Sequence, residues 1–237
     1  MTARCLIHEK LMSRFAVILP AAGCSSRFEG FNQKKPFVLL RGISVWQRSV
    51  APFQGRDDVA MILLVIAPSD RTEFISSFGR ELDGIQVISG GSSRAESIWN
   101  ALAAVPDEID FVAIHDAVRP LITGEAIGVV FQAAMETGAA IPALPVTSTV
   151  KEVSDDGRIA ATVSRTRLRL TQTPQVFGRR LLQDAYRLVG DRLHEFTDDA
   201  SLVEVTGHPV AVVEGWQENI KITTAEDFRL AELLLRN

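Results

Sequence analysis

The chain has little cysteine, no excess of positive charge and no long apolar run, and each shortage removes a class of protein. Two cysteines in 237 residues, Cys5 and Cys24, are too few for a disulfide scaffold, so a reducing, cytoplasmic setting is expected. Twenty-five Lys and Arg against 29 Asp and Glu give a net charge of −4, which leaves no broad basic surface for nucleic acid. Any cations that matter must therefore act locally. No apolar stretch approaches the roughly 18 residues of a membrane helix. Two glycine fingerprints are also missing. The first small-residue loop is neither G-x-x-x-x-G-K-S/T nor G-x-G-x-x-G, since Gly23 is its only glycine before Gly30. That argues against a dinucleotide-dependent oxidoreductase. Internal repeats and low-complexity segments are absent.

What is present fits one α/β domain of ordinary composition, with 46% hydrophobic and 23% charged residues. Apolar runs recur at Phe15–Leu19, Ala60–Ala67, Ile85–Ile88, Phe111–Ile114, Ala139–Leu144 and Pro209–Val213. Most are continuous rather than alternating, the mark of strands buried on both faces. Helical spacing separates them over Ser69–Phe78, Ser93–Val105 and Thr123–Thr137, and Thr224–Leu235 closes the chain as an amphipathic helix. This alternation predicts a mostly parallel, twisted sheet. Residues 146–172 break the rhythm. A β-prone run from Val146, the turn Ser154-Asp-Asp-Gly157 and a returning run from Arg158 predict a hairpin. Such a hairpin projecting from the domain is marginal alone and needs a partner, most simply a second copy of the chain. Residues 1–13 show no pattern and read as a tail, with 14–237 as the single domain. Were Met12 the start, FAVILPAAGC would imitate a lipoprotein signal ending at Cys24. The stretch is short for that and contains Pro20, and a strand at this point suits the downstream order of elements.

Four segments can carry chemistry. The strand Phe15–Leu19 runs into Pro20-Ala-Ala-Gly-Cys-Ser-Ser-Arg27, with Lys34-Lys35-Pro36 just downstream. Small residues let a backbone approach a ligand, and an Arg and a Lys supply the charge a polyphosphate needs. Taken alone, this is equally a generic turn with surface charges. Ile88-Ser-Gly-Gly-Ser-Ser-Arg-Ala-Glu-Ser97 is a strand ending in two glycines before a Ser-rich helix start. Its free N–H groups can hold an anion or a base edge, or simply be capped by Ser92 or Ser93. Asp116 follows a buried strand, where α/β sheets put ligand-binding groups, and can hold Mg²⁺, a ribose hydroxyl or only the next turn. His115 reads as a packing residue. Lys221, in the β-prone stretch Asn219-Ile-Lys-Ile-Thr-Thr, is by itself an ordinary edge lysine.

Together these segments resemble the 2-C-methyl-D-erythritol 4-phosphate cytidylyltransferase family. The resemblance spans about Phe15 to Leu235. It rests on PAAGCSSRF, the lysine at 34, GGSSRAESI, HDAVRP, PVTSTVKEV, VSRTRLRLTQTPQVF, TDDASLVE and VEGWQENIKIT, in order. It implies a Rossmann-like nucleotidyltransferase domain, a dimerising β-arm and Mg²⁺-dependent use of CTP and a polyol phosphate. Carried over by position, Arg27 and Lys34 grip the triphosphate and Lys221 contacts its α-phosphate. Ala21, Ala22 and Gly23 line the nucleotide, and Gly91, Ser92 and Ser97 read the cytosine. Asp116 faces ribose and metal. Arg119, Thr149, Arg165, Thr173 and Thr197 are implied for the methylerythritol phosphate, with Arg165 aligning the incoming phosphate and the arm acting across the dimer. The chain departs from the family pattern at Ser25, Lys35, Ser92 and Ser164. A ribitol-5-phosphate or other polyol-phosphate cytidylyltransferase shares most of these motifs, and an idle nucleotide-binding protein is the reading from another class.

Overall fold

A computed structural model describes residues 13–23 and 34–235. The tail at 1–12 and the loop residues around Arg27 lie outside the described residues.

The first strand, β1 (Phe15–Pro20), owes its apolar run to double-sided burial. Phe15, Val17 and Leu19 enter one core, while Ala16 and Ile18 enter another on the opposite face. A short hairpin, β2 (Leu39–Leu40) and β3 (Ile43–Ser44), leads into helix α1 (Val45–Val50). Then come β4 (Val59–Ile66), α2 (Arg71–Phe78), β5 (Ile85–Ser89), α3 (Arg94–Leu102), β6 (Phe111–Ile114), α4 (Gly124–Thr137) and β7 (Ala139–Pro145). These match the expected order to within a few residues at each boundary. Helix α4 shows why. Thr123 accepts the Ala126 N–H at its start, Gly138 closes it at φ 85°, and Ile127, Val130, Phe131 and Ala134 form its buried stripe.

The projecting hairpin is β8 (Val150–Val153) and β9 (Ile159–Val163), antiparallel and separate from the main sheet. Gly157, at φ 80°, makes the turn, and Ser154 N donates to the Arg158 carbonyl at 2.9 Å. The arm is shorter than the span 146–172. Residues 169–171 form β10 (Arg169–Thr171), which pairs with β7 in the main sheet. β11 (Gln175–Gly178) continues down β7 and reaches β6. Helices α5 (Arg179–Val189) and α6 (Asp199–Glu204), the strand β12 (Ala211–Glu214) and α7 (Ala225–Leu234) complete the chain.

The eight-stranded sheet runs β5-β4-β1-β6-β11-β7, with β10 and β12 on β7. The pairs among β5, β4, β1 and β6 are parallel, as is β7 with β12, whereas β10 and β11 run antiparallel to their neighbours. Helix α4, with Trp46 and Phe74, covers one face; α3, α5 and α6 cover the other. Helix α7 packs Phe228 and Ala231 on Leu40, Val45 and Ile222. With β1 flanked by β4 and β6, the loops leaving β1, β4, β5 and β6 share the carboxyl edge of the sheet, where open α/β folds bind ligands.

Candidate functional site

Asp116 is the centre of that edge. It lies two residues beyond the end of β6, is buried, and gathers three cations. Lys221 Nζ lies 3.0 Å from its Oδ2, Arg119 Nε donates to the same oxygen at 3.3 Å, and Arg94 Nη2 stands 3.9 Å from Oδ1. Burial alone would favour the protonated acid. The positive charges of Lys221, Arg94 and Arg119 outweigh it and hold the Asp116 pKa down to about 2. The group is therefore a carboxylate at any physiological pH.

A hydrogen-bonded strut fixes it from behind. Asp116 N donates to Thr173 Oγ1 at 3.0 Å, and Thr173 Oγ1 is 3.0 Å from His115 Nδ1. His115 Nε2 is 3.2 Å from the Arg119 carbonyl. For a neutral ring only one proton arrangement satisfies all three contacts. The Thr173 hydroxyl donates to Nδ1, and a neutral imidazole donates from Nε2 to the carbonyl. Complete burial, the largest influence, agrees by lowering the His115 pKa to about 4. Thr173 thus stands behind the carboxylate with its hydroxyl engaged. Arg119 is likewise buried, with Nη1 donating to the Asn219 carbonyl at 2.7 Å.

Lys221 lies in irregular chain; its β-prone neighbours form no strand. Hydrogen bonds do the pinning instead. Asn219 Nδ2 donates to the Thr173 carbonyl at 2.9 Å, and Ile222 N donates to Val118 O at 2.9 Å. The buried Gln172 receives Trp216 N at 3.0 Å and donates back to Trp216 O at 2.8 Å. Asn219 Oδ1 has no partner among the described residues.

The expected base-reading turn packs against the first loop. A Cβ on Gly90 would lie 2.7 Å from Ala22 Cβ and 2.9 Å from Ser97 Oγ, so only glycine permits this approach. Gly91 N donates to Ser97 Oγ at 3.0 Å, and that hydroxyl donates to Ser93 O at 2.8 Å. Ser93 caps α3, and the exposed Ser92 is held by Glu96 through both N–H and hydroxyl. Ala21 is buried and Gly23 exposed, so the chain rises from core to surface over Ala21–Gly23.

The two adjacent lysines part company. Lys34 Nζ pairs with Asp70 Oδ2 at 2.5 Å, after β4, whereas Lys35 Nζ reaches the Thr223 carbonyl at 2.5 Å, two residues beyond Lys221. Sequence reasoning assigned Lys34 to the triphosphate and named Lys35 only as a departure from the family pattern. It passed over Arg94, inside a motif read for its glycines and serines. Thr149 and Arg165 are exposed at the root of the arm, where Arg165 Nη1 donates to the Thr147 carbonyl. Thr197 is exposed just ahead of α6. Among the described residues Asp116 pairs with Lys221, Arg119 and Arg94, and with none of these three exposed residues.

Comparison with known proteins gives a uniform result. The family profile described as 2-C-methyl-D-erythritol 4-phosphate cytidylyltransferase matches residues 15–237. A relative of that name from Syntrophus aciditrophicus is 40% identical, over 94% of this chain and 96% of its own. A bifunctional IspD/IspF enzyme from Bradyrhizobium is 42% identical over 92% of this chain, which spans only 56% of that longer protein. Among solved structures, 4-diphosphocytidyl-2C-methyl-D-erythritol synthase from Anaerococcus prevotii superposes with a TM-score of 0.80 at 28% identity, covering 95% of this chain and 97% of that one.

Proposed function

The chain belongs to the 2-C-methyl-D-erythritol 4-phosphate cytidylyltransferase family, and on that premise we propose how its residues share the work. The reaction joins CTP to 2-C-methyl-D-erythritol 4-phosphate in isoprenoid precursor synthesis. A phosphate oxygen of the polyol attacks the α-phosphorus of CTP, and the bond to the bridging oxygen breaks. The bridging oxygen keeps the electron pair as pyrophosphate leaves.

Two anions must meet, so fixed positive charge is the main requirement. The nucleophile is already ionised near neutral pH, and no strong general base is needed. This suits a site whose one histidine is buried and neutral. Lys221, with Arg27 from the loop outside the described residues, neutralises the triphosphate. Lys35 joins them, favoured over Lys34 by its tether beside Lys221. Lys34 is instead paired with Asp70. The turn at Gly90 and Gly91, together with Ala21 to Gly23 and Ser97, receives the cytosine and ribose.

The donor set at Asp116 suits Mg²⁺. Among the described residues no cluster of three or more metal-binding side chains exists. A lone carboxylate, with phosphate oxygens and water filling the rest, is how this ion is commonly held. When bound, it supplies charge neutralisation of the phosphates.

The arm favours a homodimer. Val153 and Ile159, cross-strand partners in the arm, are 57% and 65% exposed, an apolar surface that a second copy would cover. Arg165 and Thr149 then reach the polyol phosphate of the neighbouring site. With two cysteines in all and no described helix long and apolar enough to cross a membrane, we assign the enzyme to the cytoplasm.

The observation that carries this reading is the convergence of Lys221, Arg119 and Arg94 on Asp116 at the carboxyl edge of the sheet. The test is pyrophosphate release from CTP and Mg²⁺ with a panel of polyol phosphates. Turnover with methylerythritol phosphate well above that with ribitol 5-phosphate supports it; the reverse order overturns it.

A further inference from the structure

Arg94 has a feature the reaction scheme leaves unused. Its Nη1 donates to Asp199 Oδ2 at 2.8 Å, and Asp199 is 1% exposed. That aspartate is itself locked: Tyr186 Oη donates to its other oxygen at 2.9 Å, and its own N–H donates to Gln175 Oε1 at 3.1 Å. The Tyr186 ring stacks on Trp99, on the helix that begins with Arg94. One edge of the guanidinium is therefore rigidly held. The other, Nη2, makes no hydrogen bond among the described residues and faces Asp116 Oδ1 at 3.9 Å. A buried ion pair of this kind is weak evidence for a purely stabilising role, because desolvation offsets the attraction.

We propose that Arg94 is a positioning residue: clamped by Asp199, its guanidinium fixes the Oδ1 edge of Asp116 from the helix that carries the base-reading turn. The inference rests on the cytidylyl-transfer reading above. A planar fork is needed because two nitrogens must serve two carboxylates at once. A lysine ammonium has all its donors on one nitrogen and cannot span the two carboxylates as the fork does.

That difference sets the test. Arg94→Lys, Arg94→Met, Asp199→Asn and the double variant Arg94→Met with Asp199→Asn are assayed for kcat, for CTP binding by calorimetry and for the urea midpoint. Misplacing a reacting group by about 1 Å costs on the order of a hundredfold, so both Arg94 variants should lose about 10- to 100-fold in kcat. CTP affinity should stay within about threefold, since Ser93 still caps the helix, on the scale of a lost secondary contact. Arg94→Lys should keep a near wild-type urea midpoint, and Asp199→Asn should add little to the loss in Arg94→Met. Full kcat in Arg94→Lys overturns the proposal. So does a loss of kcat that tracks loss of folded protein in both Arg94 variants, or an undiminished effect of Asp199→Asn in the Arg94→Met background. The wild-type protein in the same assay reports separately on the cytidylyl-transfer reading.

Discussion

Lys221 Nζ lies 3.0 Å from Asp116 Oδ2, and the two residues come from unlike kinds of chain. Asp116 sits just past the end of a buried strand, whereas Lys221 is held by hydrogen bonds in an irregular segment. Removing the cation leaves a buried carboxylate with less compensation and takes away the proposed partner of the α-phosphate. Lys221→Ala should lower turnover about a hundredfold or more, the scale for one electrostatic donor. Steady-state pyrophosphate release measures it, and near-normal turnover would remove the assigned role.

The adjacent lysines should behave differently. Lys35→Ala should cost about a hundredfold in kcat. Lys34→Ala breaks only the pair with the partly exposed Asp70 and should cost less than about tenfold, in line with the small worth of such pairs. The opposite ranking would return the phosphate contact to Lys34.

His115 should make folding sensitive to mild acid. The native pKa of about 4 is below the usual histidine value, because burial disfavours the charged ring. Between roughly pH 6.5 and 4 the unfolded chain takes up a proton that the native state refuses, so stability falls as pH falls through that window. The loss is on the order of 3 kcal/mol by pH 4. Urea titrations at pH 7 and pH 5 should show a shallower decline for His115→Gln than for the wild type. Equal declines would mean that the ring is not buried in its neutral form.

Gly90→Ala would drive a methyl group into Ala22 and Ser97. The loops after β1 and β5 must then separate, at a cost of about 1–3 kcal/mol. The Michaelis constant for CTP should rise more than that for the polyol phosphate. An unchanged CTP constant would place the base elsewhere.

If the arm serves a neighbouring copy, Ile159→Asp with Val153→Asp should yield monomers by sedimentation. Arg165→Ala and Lys221→Ala, each nearly inactive alone, should recover activity when mixed and allowed to exchange, because one site of the hybrid is then intact. No recovery on mixing would place Arg165 at its own chain's site.

The central strands were legible because burial on both faces leaves an uninterrupted apolar run, as at Phe15–Leu19. Helix α4 was legible from its spacing and from Thr123 at its start. Strands β10 and β11 were not, since three or four residues around Pro174 carry too little periodicity. Helix α5 has buried residues at Leu182, Ala185, Tyr186 and Val189, but its stripe lies in a segment read only for motifs. In the site, Asp116 was visible as an acid after four apolar residues. The clamp of Arg94 on Asp199 was not, because it joins residues 105 apart in sequence through tertiary packing alone. Lys34 drew attention by position, yet only the folded chain reveals that Lys34 turns to Asp70 and Lys35 to the Thr223 carbonyl.

The place of β1 in the sheet has a consequence for synthesis. It leaves the ribosome well before its neighbours on either side, β4 and β6, the latter ending at Ile114. Until both have emerged, a strand with two greasy faces and two open edges has no permanent companion, a state prone to self-association. Nascent chains arrested shortly before residue 111 should therefore depend on holding chaperones, and those arrested well beyond it should escape that dependence.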